Sequence, residues 1–315
     1  MPKVEAISFL NRDGLRLYGT LHTPGEPNRT LPAVILLSPG VKMRVGPGRL
    51  YVPLTELLTS LGYTVLRFDF FGLGDSEGDL SEVMLADVYN HIEVGRYVED
   101  TLCAIEWLAT THGFKRFMLG GLCGGAVTAV LAAQRDSRVE SLLSLGMNVT
   151  LSSNAVTPAK YLTRAELDSR RQKYFRRLLE PKSWWRFLTF QSEYGVIWRS
   201  MLRMFVRDKP AAQQPVSEEQ RGNANPLFPP AYLAFLARGG RALLVFAEKD
   251  RLYSEYEEKF VAFYREQLEP YQLQIRQHII PYANHVLTFH EWQREMLEHC
   301  RAWLQLPEIR HGSPA

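Results

Sequence analysis

The chain lacks the marks of several protein classes. Its three cysteines, at positions 103, 123 and 300, are odd in number and far apart, which builds neither a disulfide framework nor a metal site with paired ligands. No window approaches the run of about 18 apolar residues that a membrane-spanning helix needs. The opening MPKVEAISFLNRDG has no continuous apolar stretch of the signal-peptide kind, so a cytoplasmic protein is expected. Net charge is only +3 over 315 residues, which predicts no nucleic-acid partner. No repeat or low-complexity tract interrupts the chain, and nothing in it calls for a cofactor or a metal.

What is present is material for a large core, with 46% hydrophobic and 23% charged residues, close to the average for folded domains. VEAISFL and RLYGTLHTP alternate as half-buried strands do, and PAVILLSP and TVLRFDFF read as fully buried ones. Between them LYVPLTELLTSLGY has helical spacing, and residues 83–112 read as one long amphipathic helix. Strand RFMLGG, helix AVTAVLAAQ and strand VESLLSLGM come next. This βα alternation predicts a mostly parallel sheet covered by helices on both faces.

From about Asn148 to Pro226 the alternation stops. The segment is rich in Arg, Trp, Phe and Tyr, and residues 160–209 hold thirteen Lys/Arg against five Asp/Glu. It then resumes with helix PAYLAFLARGG, strand RALLVFA, helix EYEEKFVAFYREQL, strand LQIRQHII and helix EWQREMLEHCRAWL. The reading is therefore a core at 1–147 and 227–306, a helical cap inserted at 148–226 and a flexible tail at 307–315.

Two glycine-rich turns compete for a catalytic role. GDSEG (74–78) fits the hydrolase signature GxSxG literally, whereas GLCGG (121–125) has a cysteine at its centre. A nucleophile turn needs a strand leading straight in and a tightly packed helix leading straight out. GDSEG is set off from its strand by FGLG and followed by polar DLSEV, so Asp75 and Ser76 are expected to bond nearby backbone in a structural turn. GLCGG lies directly between RFMLG and AVTAVLAAQ, which makes Cys123 the candidate nucleophile. A helix N-terminus and a neighbouring imidazole both favour the thiolate; the bland alternative is a small buried hydrophobe on an inactive turn.

The partners of such a nucleophile come in the order acid, then histidine, each just after a strand. Asp250 follows RALLVFA and His285 follows LQIRQHII, with Glu248 a rival acid. His91, His112, His278 and His290 are expected to be structural. Cys123 would attack an acyl carbonyl, His285 would take its proton and Asp250 would orient the imidazole. The backbone N–H groups of Gly124 and, in the loop SPGVK, Val41 are the expected oxyanion donors.

With these residues placed, the chain resembles the α/β-hydrolases of the serine-aminopeptidase-like branch. RVGPGRLYVPLTELLTSLGYTVLRFDFFGLGDSEGD, GLCGGA, ANHVLTFHEW and YFRRLLEPKSWWRFL are similar to stretches of the exosortase-A-system-associated hydrolases, and related folds with similar turns occur in biosynthetic gene clusters. The resemblance implies an eight-stranded, mostly parallel sheet with a helical cap, and acyl hydrolysis or transfer at Cys123, Asp250 and His285. The loop at Val41 departs from the wider superfamily in lacking a His-Gly pair.

A thiol nucleophile suits activated acyl groups, so a thioesterase, esterase or acyltransferase is expected ahead of a peptidase or amidase. The competing class is a non-catalytic binding protein that kept the fold. For the basic cap, a solvated face with aromatic anchors competes with docking of an anionic partner. That partner would be an acyl-carrier-protein- or CoA-bound acyl substrate, or a membrane surface, with Trp184, Trp185, Arg186 and Phe187 contacting it.

Overall fold

In a computed structural model of the chain, the described residues are 2–25, 28–80, 82, 85–152 and 222–311. Trp184, Trp185, Arg186 and Phe187 lie outside them. The chain divides into two compact units, residues 1–154 with 223–315, and residues 155–222.

The first unit is built on an eight-stranded sheet of order β1-β2-β4-β3-β5-β6-β7-β8. β1 (Lys3–Leu10) and β2 (Arg16–Thr23) form an antiparallel hairpin, and β2 also runs antiparallel to β4 (Val65–Phe68). β3 (Ala33–Leu37), β5 (Phe117–Cys123), β6 (Val139–Met147), β7 (Arg241–Ala247) and β8 (Ile275–Ile280) are parallel with β4. Every residue of β3 and β4 is buried, as their unbroken apolar character requires of strands covered on both faces.

One face of the sheet packs against α1 (Tyr51–Ser60), α8 (His290–Leu304) and α9 (Pro307–Arg310) through Leu54, Leu58, Met296 and Trp303. The other carries α2 (Leu85–Glu93), α3 (Val98–His112), α4 (Gly124–Arg135) and α5 (Phe228–Ala237), with Ile92, Ile105, Val130 and Tyr232 buried between. After β7 come α6 (Arg251–Tyr256), a wider π turn over Glu257–Val261 and α7 (Ala262–Leu268). α1 carries the chain from β3 to β4 on one side, while α2 and α3 carry it past β3 to β5 on the other. Connections therefore leave β3 and β5 in opposite directions at their C-terminal ends, where open α/β sheets form a crevice.

Several expected boundaries need correction. The single helix over 83–112 is two, because the chain breaks at Gly95, whose φ of 105° lies where a side chain is strained. The strand expected from Leu273 begins at Ile275, after a 3-10 turn over Glu269–Gln274. The helix expected over EYEEKFVAFYREQL is divided by the π turn. Residues 307–310, expected to open a flexible tail, form α9, with Ile309 buried.

The edges of the insertion also belong to the core. Asn148 Nδ2 donates to Glu93 at 2.8 Å, Ser152 N to Glu93 at 2.6 Å, and Thr150 Oγ1 to Glu255 at 3.0 Å. Asn225 Nδ2 donates to the Glu93 carbonyl at 2.6 Å. A buried carboxylate stripped of such partners is costly, so Glu93 fixes both the point where the chain leaves the sheet and the point where it returns.

Candidate active site

Cys123 is the last residue of β5 and the residue before α4, and β5 shifts register against β6 between Leu122 and Cys123. Its backbone sits at φ 54°, ψ −111°, a conformation costing an L residue about 1–3 kcal/mol and held only where the surroundings impose it. Here the flanking glycines impose it. A Cβ on Gly121 would stand 2.5 Å from the carbonyl carbon of Gly125, and one on Gly125 would stand 2.6 Å from the Leu37 oxygen. Strand, helix and the end of β3 can therefore approach this closely only with glycine at both positions. The result is a partly exposed thiol at the positive end of a helix dipole.

His285 and Asp250 come to the same place from neighbouring parallel strands. Asp250 caps α6, accepting from Leu252 N at 3.4 Å, and its Oδ2 accepts from His285 Nδ1 at 2.6 Å. Cys123 lies near enough to His285 to act with Asp250 in raising the ring's pKa. The segment that carries it is pinned by Lys249 N donating to the Ala283 carbonyl at 2.9 Å and by buried Leu287. Tyr282 and Leu287, on either side of His285, both have positive φ, as Cys123 does. Burial alone favours the neutral ring. The hydrogen bonds and negative charges of Asp250 and Cys123 overcome it and raise the His285 pKa from 6.5 to about 10.

The loop after β3 closes over the start of α4. A Cβ on Gly124 would lie 3.1 Å from the Cα and N of Gly40, so Val41, next along, adjoins the residue that touches the helix's first turn. Gly124 N–H, at the first helical position, has no acceptor within α4. The loop is held from below by Asp69, whose side chain is wholly buried. Asp69 accepts from Arg44 N at 2.5 Å, from Asp75 N at 3.2 Å and from the Arg44 guanidinium.

Tyr51 was not legible as a site residue. Its buried hydroxyl accepts from Leu122 N at 2.7 Å and donates to the Leu37 carbonyl at 2.9 Å. One phenol thus spans the two strands where their ends part, immediately before Cys123. The pairing runs over 71 residues of sequence, and no local pattern announces it.

The rivals fall elsewhere. Ser76 Oγ donates to the Asp69 carbonyl at 2.6 Å and accepts from Tyr18 N at 2.9 Å, so the GDSEG serine is a buried tie between the loop after β4 and β2. Asp75 differs from expectation, since its carboxylate meets the Arg44 guanidinium at 2.7 Å instead of backbone. Glu248 accepts from Tyr282 N at 2.6 Å and Lys249 Nζ at 2.8 Å, bracing the His285 segment from outside. Cys300 is fully buried, which pushes its thiol up to about 12, and burial raises Cys103 as well. His91 pairs with Glu82 and His112 packs edge-on against Trp107. His278 meets Glu295, and His290 opens α8.

Comparisons with known proteins bear on the family and the fold. The palmitoyl-protein thioesterase ABHD10 of Mus musculus mitochondria is 29% identical over 140 residues, 44% of this chain and 41% of the mouse protein. Its Bos taurus counterpart is 28% identical over 144 residues, 46% and 41% of the two chains; the similarity spans about two-fifths of either relative. Among solved structures, the Pyrococcus furiosus esterase Pf2001 shares the fold with a TM-score of 0.57 at 18% identity, covering 96% of this chain and 92% of that one. The dienelactone hydrolase of Anabaena variabilis does so with a TM-score of 0.55 at 16% identity, covering 96% and 97%. Residues 35–298 match the alpha/beta hydrolase family, and the chain belongs to it.

Proposed function

We propose that the chain is a thioesterase-like acyl hydrolase or acyltransferase working through an acyl-Cys123 intermediate. The observation that carries this reading is a single imidazole, His285, bonded to Asp250 Oδ2 at 2.6 Å through Nδ1 and raised in pKa by both Asp250 and the nearby Cys123, which sits on a strained strand-to-helix turn. His285 takes the Cys123 proton, and Sγ attacks the acyl carbonyl. Asp250 stabilises the imidazolium, while the N–H groups of Gly124 and Val41 bind the oxyanion. The leaving thiol or alcohol takes the proton back from His285. Water or another acceptor, deprotonated by the same ring, then releases the acyl group and restores the thiol.

The thiol favours thioesters, because exchange of thiolate with thioester is nearly isoenergetic whereas an amide demands a strongly protonated leaving group. The name of the mammalian relatives, palmitoyl-protein thioesterase, supports an S-acyl substrate. The test is kcat/KM for one acyl chain offered as CoA thioester, oxygen ester and amide. The expected order is thioester, ester, amide; an amide turned over fastest contradicts it. The basic composition of residues 160–209 supports an anionic carrier on that substrate. Turnover of the CoA thioester should then fall as salt rises, and salt-independent turnover contradicts this part.

A further inference from the structure

Three potential metal ligands meet away from the Cys123 site. His278 lies on β8, and its face of the strand is shared by Ile280, which packs in the same apolar cluster as Met296 and Cys300 of α8. Glu295 and His299, the neighbours of those two residues, are four apart and so lie on one side of α8. His278 Nε2 is 2.7 Å from Glu295 Oε1, and the His278 and His299 rings stack with centroids 3.3 Å apart and planes 19° apart. One ligand atom from each of the three side chains lies within 4.8 Å of the other two. All three residues are partly buried.

We propose that His278, Glu295 and His299 bind a divalent transition-metal ion of the zinc class, clamping β8 to α8. Two imidazoles and one carboxylate are a common donor set for zinc, which leaves a fourth position for water. In a tetrahedral site with bonds of about 2.1 Å the donors stand roughly 3.4 Å apart, a separation that these three ligand atoms, within 4.8 Å of one another, already approach. Two rings stacked this closely cannot both carry charge at low cost. Neutral imidazole is the form a metal binds. Glu298 adds a favourable charge nearby and Arg276 an opposing one.

The consequence concerns the chain between the ligands. His278 precedes and Glu295 follows residues 281–289, which carry His285, so a bound ion ties the two ends of that segment across the edge of the sheet. It would hold the folded segment without touching the thiol site, and its effect would appear as stability.

The test uses the full chain carrying Cys123→Ala, so that no thiol–imidazole pair competes for the ion, stripped of metal by chelation. Zn²⁺ is titrated calorimetrically and the melting temperature followed; Co²⁺ is then added and its visible absorption recorded as a report of coordination. We expect one saturable equivalent, a rise in melting temperature, and affinity weakened at least about tenfold by His299→Ala, His278→Ala or Glu295→Gln. His299→Gln, which keeps a polar side chain of similar reach, guards against a folding defect and should lose the Co²⁺ absorption while melting normally in chelator. Unchanged binding in the His299 variants, or no saturable binding by the parent, overturns the proposal and leaves a His278–Glu295 hydrogen bond stacked against the His299 ring. Neither outcome depends on acyl turnover, so the Cys123 reading stands or falls separately.

Discussion

Two glycine-rich turns come after buried strands of one sheet, and they use their central hydroxyl or thiol in opposite ways. At GDSEG, after β4, Ser76 is buried and spends its hydroxyl on two backbone groups, the Tyr18 N–H and the Asp69 carbonyl. At GLCGG, after β5, Cys123 is partly exposed and its neighbour is a titratable ring, His285, whose pKa it helps to raise. The difference lies in how soon a helix begins after each strand. α4 begins at Gly124, at once after Cys123, whereas the next helix after Ser76 begins at Leu85. A helix starting immediately forces the sharp turn that lifts a side chain out of the sheet; a longer loop folds its polar side chain inward to satisfy itself. The two turns are nonetheless coupled, since Asp69 at the base of the first holds Arg44 in the loop that closes over the second.

The comparison breaks most sharply at the thiol. Cys123→Ala, or His285→Ala, should lower kcat/KM for an acyl thioester by roughly 10⁴-fold or more, since members of such a unit act together. Steady-state kinetics on folded variants check this. Asp250→Asn should cost about 10²–10⁴-fold and should also alter the response to pH. His285 is raised from 6.5 to about 10, so its charge stabilises the native chain fully below about pH 6.5, and that contribution fades as pH climbs through about 10. Melting temperatures measured between pH 6 and pH 10 should therefore fall less steeply for Asp250→Asn than for the wild type.

Tyr51→Phe sharpens the comparison at the strand before the thiol. It leaves the Leu122 N–H and the Leu37 carbonyl unpaired in the core, at a cost of about 1–3 kcal/mol each. Because Leu122 precedes Cys123, kcat should fall more than KM rises, a split that a merely destabilised chain would not show. The smallest effect on chemistry belongs to the other turn. Ser76→Ala should lose about 1–3 kcal/mol of stability in denaturant titrations yet keep the activity per folded molecule.

Much of the site was legible because the signals were local. Asp250 and His285 each come after a recognisable buried strand, and the glycines around Cys123 stand against an apolar run and an alanine-rich helix. The rest depended on contacts distant in sequence. Nothing near Tyr51 shows that its hydroxyl spans Leu122 and Leu37. Asp75 turns from backbone to Arg44 because that guanidinium reaches in from another loop, and His278 meets His299 only once β8 and α8 pack. The break at Gly95 had a local signal, a glycine inside a helical period, which the periodicity on either side outweighed.

The choice between the two turns is tested most directly by mass. Wild type, Cys123→Ala, Ser76→Ala and His285→Ala are each mixed with an acyl-CoA thioester, quenched in acid and weighed intact. The expected result is one acyl adduct on the wild type and on Ser76→Ala, none on Cys123→Ala, and less on His285→Ala in the same experiment. An adduct that survives Cys123→Ala would contradict the assignment of the nucleophile.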